Sequence, residues 1–96
     1  MAQVVYSARA LEHIERAFQL LSDKNPAAAQ TATAIQSAVG NLAAHPLVGR
    51  RLEGDLRELI ISYGHSGYVA LYRFVVSRDE VRILAIRHQR VVGFQP

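Results

Sequence analysis

The chain of 96 residues contains no cysteine, and only one of its eleven cationic residues is a lysine. Without cysteine, neither a disulfide framework nor a thiolate metal site can form. No apolar run is long enough for a signal peptide or a membrane span, so we expect a cytoplasmic protein that does not contact a membrane. The apolar fraction of 50% and the charged fraction of 20% are typical of a globular protein. We therefore predict one domain over residues 1–96, with one sheet packed on one helical layer.

Several motifs that carry chemistry are also missing. Gly49 and Gly54 lie in a loop that no predicted strand introduces and no helix follows, which excludes a glycine loop that cradles phosphate. No nucleophile elbow is present, so a serine–histidine triad has no support. The histidines lack the short ligand spacing of a metal site, and we predict no metal and no cofactor from His13, His45, His65 and His88.

The charge is concentrated in the second half of the chain. Residues 1–48 carry three cationic and three acidic residues, whereas residues 49–96 carry eight arginines against five acidic residues, which accounts for the net charge of +3. Arginine binds phosphate and carboxylate through two parallel hydrogen bonds. Solubility alone does not explain the excess of arginine, because lysine would make the surface equally soluble. A polyanionic partner, either RNA or an acidic protein segment, fits this distribution.

Hydrophobic periodicity predicts two helices after a first short strand. Gln3–Tyr6 is apolar and strand-like, and Ser7 stands where a helix N-cap belongs. Apolar residues recur at helical spacing over residues 8–24. Asn25 and Pro26 end that helix and start a second one, which runs to about Ala44. We expect an antiparallel helical hairpin.

The remainder of the chain predicts a loop over residues 45–55 and then three strands, over 56–62, 68–76 and 80–88. The turns between them are short and require antiparallel neighbours. The strand over 68–76 is apolar on both faces except at Arg73, so it should be the central strand. The order β-α-α-β-β-β predicts an α+β fold, with the helical hairpin on one face of a mainly antiparallel four-stranded sheet.

The last strand ends in a cluster of Arg87, His88 and Arg90, and Arg57 and Arg73 lie on the neighbouring strands. Cleavage of RNA by its own 2′-hydroxyl needs a proton acceptor, a proton donor and cations that stabilise the phosphorane. His88 is suited to either proton role near neutral pH, and His65 is a more remote candidate. The simpler alternatives are a solvated basic edge that protects the sheet from aggregation, or surface ion pairs with Glu58 or Glu80.

Tyr68, Tyr72 and Phe74 share one face of the predicted central strand. Exposed rings on a strand would form a stacking platform for single-stranded RNA. Packing of the three rings in the core is the interpretation that we favour, because large aromatic side chains are mostly buried.

Four segments of the sequence are informative together. They are Pro46-Leu47-Val48-Gly49-Arg50, Leu56-Arg57-Glu58-Leu59, Tyr68-x-x-x-Tyr72-Arg73 and Val81-x-Ile83-Leu84-x-Ile86-x-His88-x-Arg90. In this order and spacing they resemble the RelE/ParE toxins of bacterial type II toxin–antitoxin (plasmid stabilisation) modules. The similarity extends from Tyr6 over nearly the whole chain. It implies a toxin that arrests growth and is held inactive by a cognate antitoxin, whose C-terminal segment wraps the helical hairpin and the sheet.

The resemblance leaves two activities open. RelE-like members are mRNA interferases that cut messenger RNA on the ribosome, and ParE-like members poison DNA gyrase without an established catalytic centre. His88-x-Arg90 followed by Phe94 is similar to the His-x-Arg-x-x-Tyr ending of several ribonucleases, although the aromatic residue lacks a hydroxyl and stands one place later. A protein-binding module without toxicity is a third alternative.

The ribonuclease hypothesis assigns a role to each basic residue. The ribosome would hold the messenger, His88 would transfer the proton, and Arg73 and Arg87 would complete the catalytic set. The expected RNA- or phosphate-binding residues are Arg50, Arg51, Arg57 and Arg90. Because the hairpin can cover only one face of the sheet, we also expect an apolar groove rimmed by arginine on the other face, suited to an acidic amphipathic segment.

Overall fold

The computed structural model of the chain describes residues 1–22, 28–63 and 66–88. It contains two helices, α1 (Ala8–Ser22) and α2 (Ala28–Gly40), and five strands. The strands are β1 (Gln3–Tyr6), β2 (Arg50–Arg51), β3 (Leu56–Tyr63), β4 (Ser66–Val75) and β5 (Glu80–His88). Short 3₁₀ turns follow α2 at Asn41–Ala43 and β4 at Val76–Arg78.

The strands form one sheet in the order β1-β5-β4-β3-β2, with β4 in the centre as expected. β1 runs parallel to β5, and the other neighbouring pairs are antiparallel. The predicted α+β class is therefore confirmed, and the strand count is corrected from four to five. The loop predicted over residues 45–55 contains β2, whose two residues pair with Arg57 and Glu58. A strand of two residues is too short to show the alternation by which strands are recognised in a sequence.

Ser7 caps α1, as its position in the sequence predicted. Its Oγ accepts a hydrogen bond from the N–H of Ala10 at 3.0 Å, and its hydroxyl donates to the carbonyl of Leu84 at 3.1 Å. The second bond fastens the start of the helix to β5. Further along α1, Nδ1 of His13 accepts from the N–H of Ile86 at 3.2 Å. β1 pairs only with residues 80–83 of β5. The side chains of Ser7 and His13 therefore form hydrogen bonds with backbone groups of β5 beyond the end of β1.

One face of the sheet, here called the inner face, packs on the helices and forms the core. The most deeply buried large side chains are Ile35, Val39, Leu42, Tyr72, Val81 and Ile83. Tyr68 also belongs to this core, and Phe74 packs against it. The three rings of the central strand are thus core residues and not an exposed stacking platform.

A β-bulge in β5 decides which side chains point to the core. Leu71 pairs with Ala85, but the next residue, Tyr72, pairs with Ile83, so Leu84 is an extra residue in β5. Without the bulge, the side chains that follow Ile83 on the inner face would be those of Ala85 and Arg87. The extra residue shifts the alternation by one position. As a result, Ile86 and His88 share the inner face, and Arg87 points away from the helices.

Candidate functional site

The other face of the sheet, here called the outer face, is not covered by either helix. Strand register places on it a mixture of apolar and charged residues in transverse rows. Arg87 lies beside Val69, which lies beside Ile60, and Arg82 lies beside Arg73. The residues that register places on this face include Gln3, Val5, Arg50, Leu56, Glu58, Ile60, Val69, Leu71, Arg73, Val75, Glu80, Arg82, Ala85 and Arg87.

A groove of about 260 Å³ lies on the outer face, where the sequence predicted an apolar groove rimmed by arginine, and its lining contains one arginine. It is lined by Leu52, Leu56, Glu58, Val69, Leu71 and Arg87. Four of these side chains are aliphatic. The two charged side chains lie on different strands, Arg87 on β5 and Glu58 on β3. Such a surface suits a partner segment that is mainly apolar and carries a carboxylate opposite the guanidinium of Arg87.

The outer-face arginines differ in their partners. Arg87 is exposed and forms no ion pair or hydrogen bond through its side chain within the described ranges. Nε of Arg73 lies 2.9 Å from Oδ1 of Asp55, and Nε of Arg82 lies 2.6 Å from Oε1 of Glu80. Arg50 pairs with Glu58. The Arg73–Asp55 pair is exposed on both sides and contributes up to about 1 kcal/mol, so an anionic partner can displace it.

Arg73 and Arg87 are widely separated although they share a face. Arg87 stands beside Val69, and Arg73 lies four residues further along the same strand as Val69. At the rise of an extended strand this corresponds to about 13 Å. With their backbone positions this far apart, the two arginines suit two anionic groups on one partner.

His88 lies on the inner face, opposite to Arg87. Its register partner is the buried Tyr68, and the two rings meet edge to face with their centroids 5.0 Å apart and their planes at 77°. The imidazole is half-buried. The structure thus brings the two neighbouring residues to the same strand end but not to the same face. Arg90 and His65, which the sequence also predicted as site residues, lie outside the described residues.

Arg57 is engaged with the backbone of the loop before β2. Its Nη1 donates to the carbonyl of Leu47 at 3.0 Å and to the carbonyl of Gly49 at 2.8 Å. The N–H of Gly49 in turn donates to the hydroxyl of Tyr72 at 2.8 Å. Burial raises the pKa of Tyr72, and the bond from Gly49 and the charge of Arg57 partly offset this rise. The spacing of arginine and tyrosine was visible in the sequence, but their joint role in holding a loop was not.

Arg51, the remaining predicted phosphate-binding residue, donates from Nε to the carbonyl of Gly54 at 2.8 Å and is otherwise exposed. Among the described residues, no group of three histidine, cysteine or acidic side chains is arranged to hold a metal ion. In the same part of the chain, neither helix is long and apolar enough to cross a membrane.

Comparisons of sequence define the class of protein to which this fold and this basic face belong. The family model of the ParE toxin of type II toxin–antitoxin systems, parDE, matches residues 4–92. The chain therefore belongs to the RelE/ParE family of toxins of type II toxin–antitoxin systems. It is 38% identical over 89 residues to Toxin RelE3 of Caulobacter vibrioides, an alignment that covers 92% of this chain and 95% of that protein.

Solved structures support the same fold. The chromosomal ParDE toxin–antitoxin system of P. aeruginosa contains a chain that matches with a TM-score of 0.73 at 19% identity, covering 92% of this chain and 96% of that one. The intact E. coli RelBE toxin–antitoxin complex matches with a TM-score of 0.66 at 14% identity, covering 91% and 95%. At these identities the likeness concerns the fold alone.

Proposed function

We propose that this toxin arrests growth in the cytoplasm as a ribosome-dependent mRNA endoribonuclease and that a cognate antitoxin neutralises it. The observation that supports the nuclease most directly is the set of exposed arginines on the outer face. Arg73, Arg82 and Arg87 have no helix above them, and the ion pair of Arg73 with Asp55 is exposed and weak. An RNA strand laid on this face would meet several cations that neutralise its phosphates.

In this proposal Arg87 stabilises the charge that develops on the scissile phosphate. The Cα atoms of Arg87 and His88 are about 3.8 Å apart, as for any consecutive residues. A nucleotide bent over the end of β5 can therefore contact the guanidinium from the outer face and the imidazole from the inner face. His88 would transfer the proton. Arg73, about 13 Å away by strand spacing, would bind a different phosphate of the same strand.

The antitoxin would occupy the outer-face groove. Its segment should place Leu, Ile or Val over Val69 and Leu71 and carry Asp or Glu at both ends, opposite Arg73 and Arg87. If the segment is helical, a separation of about 13 Å corresponds to roughly nine residues. Bound there, the antitoxin would cover the same arginines that RNA needs, which explains neutralisation without a conformational change.

One observation favours a second candidate, a DNA gyrase poison without catalysis. His88 and Arg87 lie on opposite faces, and no other histidine of the described residues belongs to the outer face. A protein that acts only by binding needs no proton-transfer group beside its arginines. On this reading His88 is a structural residue that packs on Tyr68.

Replacement of His88 by alanine separates the two candidates. Loss of a general acid or base lowers the rate by about 10²- to 10⁴-fold, so growth arrest and messenger cleavage should disappear while antitoxin binding persists. His45→Ala is a matched control, because that imidazole is exposed in the loop before β2 and away from the strand end. Messenger ends and chromosomal breaks would be mapped after induction of each variant. Intact messengers with broken DNA, in wild type and in His88→Ala alike, would exclude the nuclease.

Charge reversal tests the antitoxin site. The double variant Arg73→Glu, Arg87→Glu should bind the antitoxin more weakly, since each carboxylate of the partner would meet a like charge. Arg78→Glu is the control, because Arg78 is also exposed but stands in the turn between β4 and β5, away from the groove. Affinity would be measured by calorimetry at two salt concentrations. Equal affinities for all three proteins would contradict the proposed location.

A further inference from the structure

Leu47 and Val48 are consecutive, large and aliphatic, and both are exposed to solvent, by 58% and 63% respectively. They precede β2 in the loop between Ala43 and Arg50. A single exposed aliphatic residue is ordinary on a protein surface and needs no explanation. Two consecutive exposed aliphatic residues need an explanation when the backbone of their loop is fixed, because the fold then keeps both side chains in solvent.

The loop is held by the sheet on both sides of Val48. The carbonyls of Leu47 and Gly49 accept hydrogen bonds from one guanidinium nitrogen of Arg57, at 3.0 and 2.8 Å. The N–H of Gly49 donates to the hydroxyl of Tyr72 at 2.8 Å, and the N–H of Val48 donates to the carbonyl of His45 at 3.2 Å. Gly49 is buried, and a methyl group there would lie 2.5 Å from the Tyr72 hydroxyl. The backbone that carries the two side chains is therefore preorganised, which lowers the entropy lost on binding.

Neither Leu47 nor Val48 lines the groove assigned to the antitoxin. Arg57 and Tyr72, which hold the loop, are register partners on the inner face. Arg50 and Arg51 follow directly, and both are exposed. Arg50 is ion-paired with Glu58, whereas Arg51 forms no ion pair among the described residues, so the positive charge next to Leu47 and Val48 is that of Arg51.

We propose that Leu47 and Val48 are the contact through which this toxin binds its cellular target, and that the contacted part of the target is a protein with an apolar pocket bordered by carboxylates. The aliphatic side chains fit a protein better than RNA, because bases are recognised by aromatic stacking, guanidinium planes and hydrogen bonds. The exposed guanidinium of Arg51 supplies the complementary charge for the carboxylates. The inference rests on the proposed toxin activity, since it concerns the target of growth arrest.

The test is the double variant Leu47→Ser, Val48→Ser. It should retain the melting temperature and the antitoxin affinity of the wild type, because both side chains are exposed and neither lines the groove. The amount of toxin needed for half-maximal growth arrest should rise by about tenfold or more, as expected when two aliphatic contacts are lost from an interface. Val76→Ser is the matched control, because Val76 is 76% exposed in the turn after β4 and should leave arrest unchanged.

A photo-crosslinking residue at position 48 identifies the chemistry of the partner in arrested cells. Crosslinks to a protein that the double variant no longer contacts are expected. Full arrest by the double variant would overturn the inference, as would crosslinks to RNA alone or a selective loss of antitoxin binding. If the double variant does not fold, Leu47→Gln and Val48→Thr, tested singly, decide the same question. Failure of the wild type to arrest growth would instead contradict the proposed function.

Discussion

Gly49 occupies a position where the structure leaves no space for a side chain. A Cβ atom there would lie 2.5 Å from the hydroxyl of Tyr72, 2.6 Å from the adjacent ring carbon and 2.8 Å from the carbonyl oxygen of Glu58. Tyr72 is fully buried, and Glu58 contributes through the backbone of a paired strand, so neither can move away easily. Gly49→Ala must therefore push the loop outward.

The cost of this substitution has two parts. Forced overpacking of a well-packed site costs about 1–3 kcal/mol. Movement of the loop also breaks the bond from the Gly49 N–H to the Tyr72 hydroxyl, which contributes about 0.5–1.5 kcal/mol. We expect a loss of about 1.5–4.5 kcal/mol in the free energy of unfolding, a large share of the 5–15 kcal/mol typical of a domain. At about 4–8 °C per kcal/mol for a domain of this size, the melting temperature should fall by roughly 6–36 °C.

Urea denaturation followed by circular dichroism gives the free energy directly. Gly40→Ala is the matched control, because a Cβ at Gly40 meets nothing within 4 Å and its backbone is helical. That substitution should leave stability unchanged or raise it by about 0.4–1 kcal/mol. Tyr72→Phe removes the closest atom, so Gly49→Ala should cost less in the Tyr72→Phe background than in the wild type. A Gly49→Ala protein with the stability of Gly40→Ala would refute the packing described here.

Two further predictions concern the anchoring of α1 and the buried tyrosines. Ser7→Ala should lower the free energy of unfolding by about 1–2 kcal/mol in the same urea assay, because it removes the N-cap of α1 and the bond to Leu84; an unchanged midpoint would contradict both bonds. Burial raises the pKa of Tyr6, Tyr68 and Tyr72 above the ordinary value of 10.0. The unfolded chain therefore loses these protons at a lower pH than the folded chain. The stabilisation should be complete below about pH 10, and the free energy of unfolding should fall as the pH rises further. Tyr72→Phe should make the melting temperature fall less steeply when it is measured at increasing pH above this value.

Local patterns in the sequence were sufficient for most of the fold. Ser7 before an amphipathic run predicted the start of α1, and the runs at 56–62, 68–76 and 80–88 predicted three long strands whose short turns required antiparallel pairing. The apolar character of both faces of the central strand predicted its position in the sheet. These features depend on contacts between neighbours in the chain or on simple burial. β2 was missed because its pairing with β3, and not any property of its two arginines, makes it a strand.

The candidate site shows where local patterns stop being informative. The residue types at the end of β5, an arginine followed by a histidine, were evident from the sequence, and so was the excess of arginine in the second half of the chain. The sequence did not show which of these side chains share a face of the sheet, because the bulge at Leu84 reverses the alternation of side chains between Ile83 and Ile86. The bulge lies where β1 ends and Ser7 and His13 of the helical segment take over the strand edge. Composition thus determined that this protein carries a basic sheet, whereas contacts between distant segments decided that Arg87 faces the open groove and His88 faces the core.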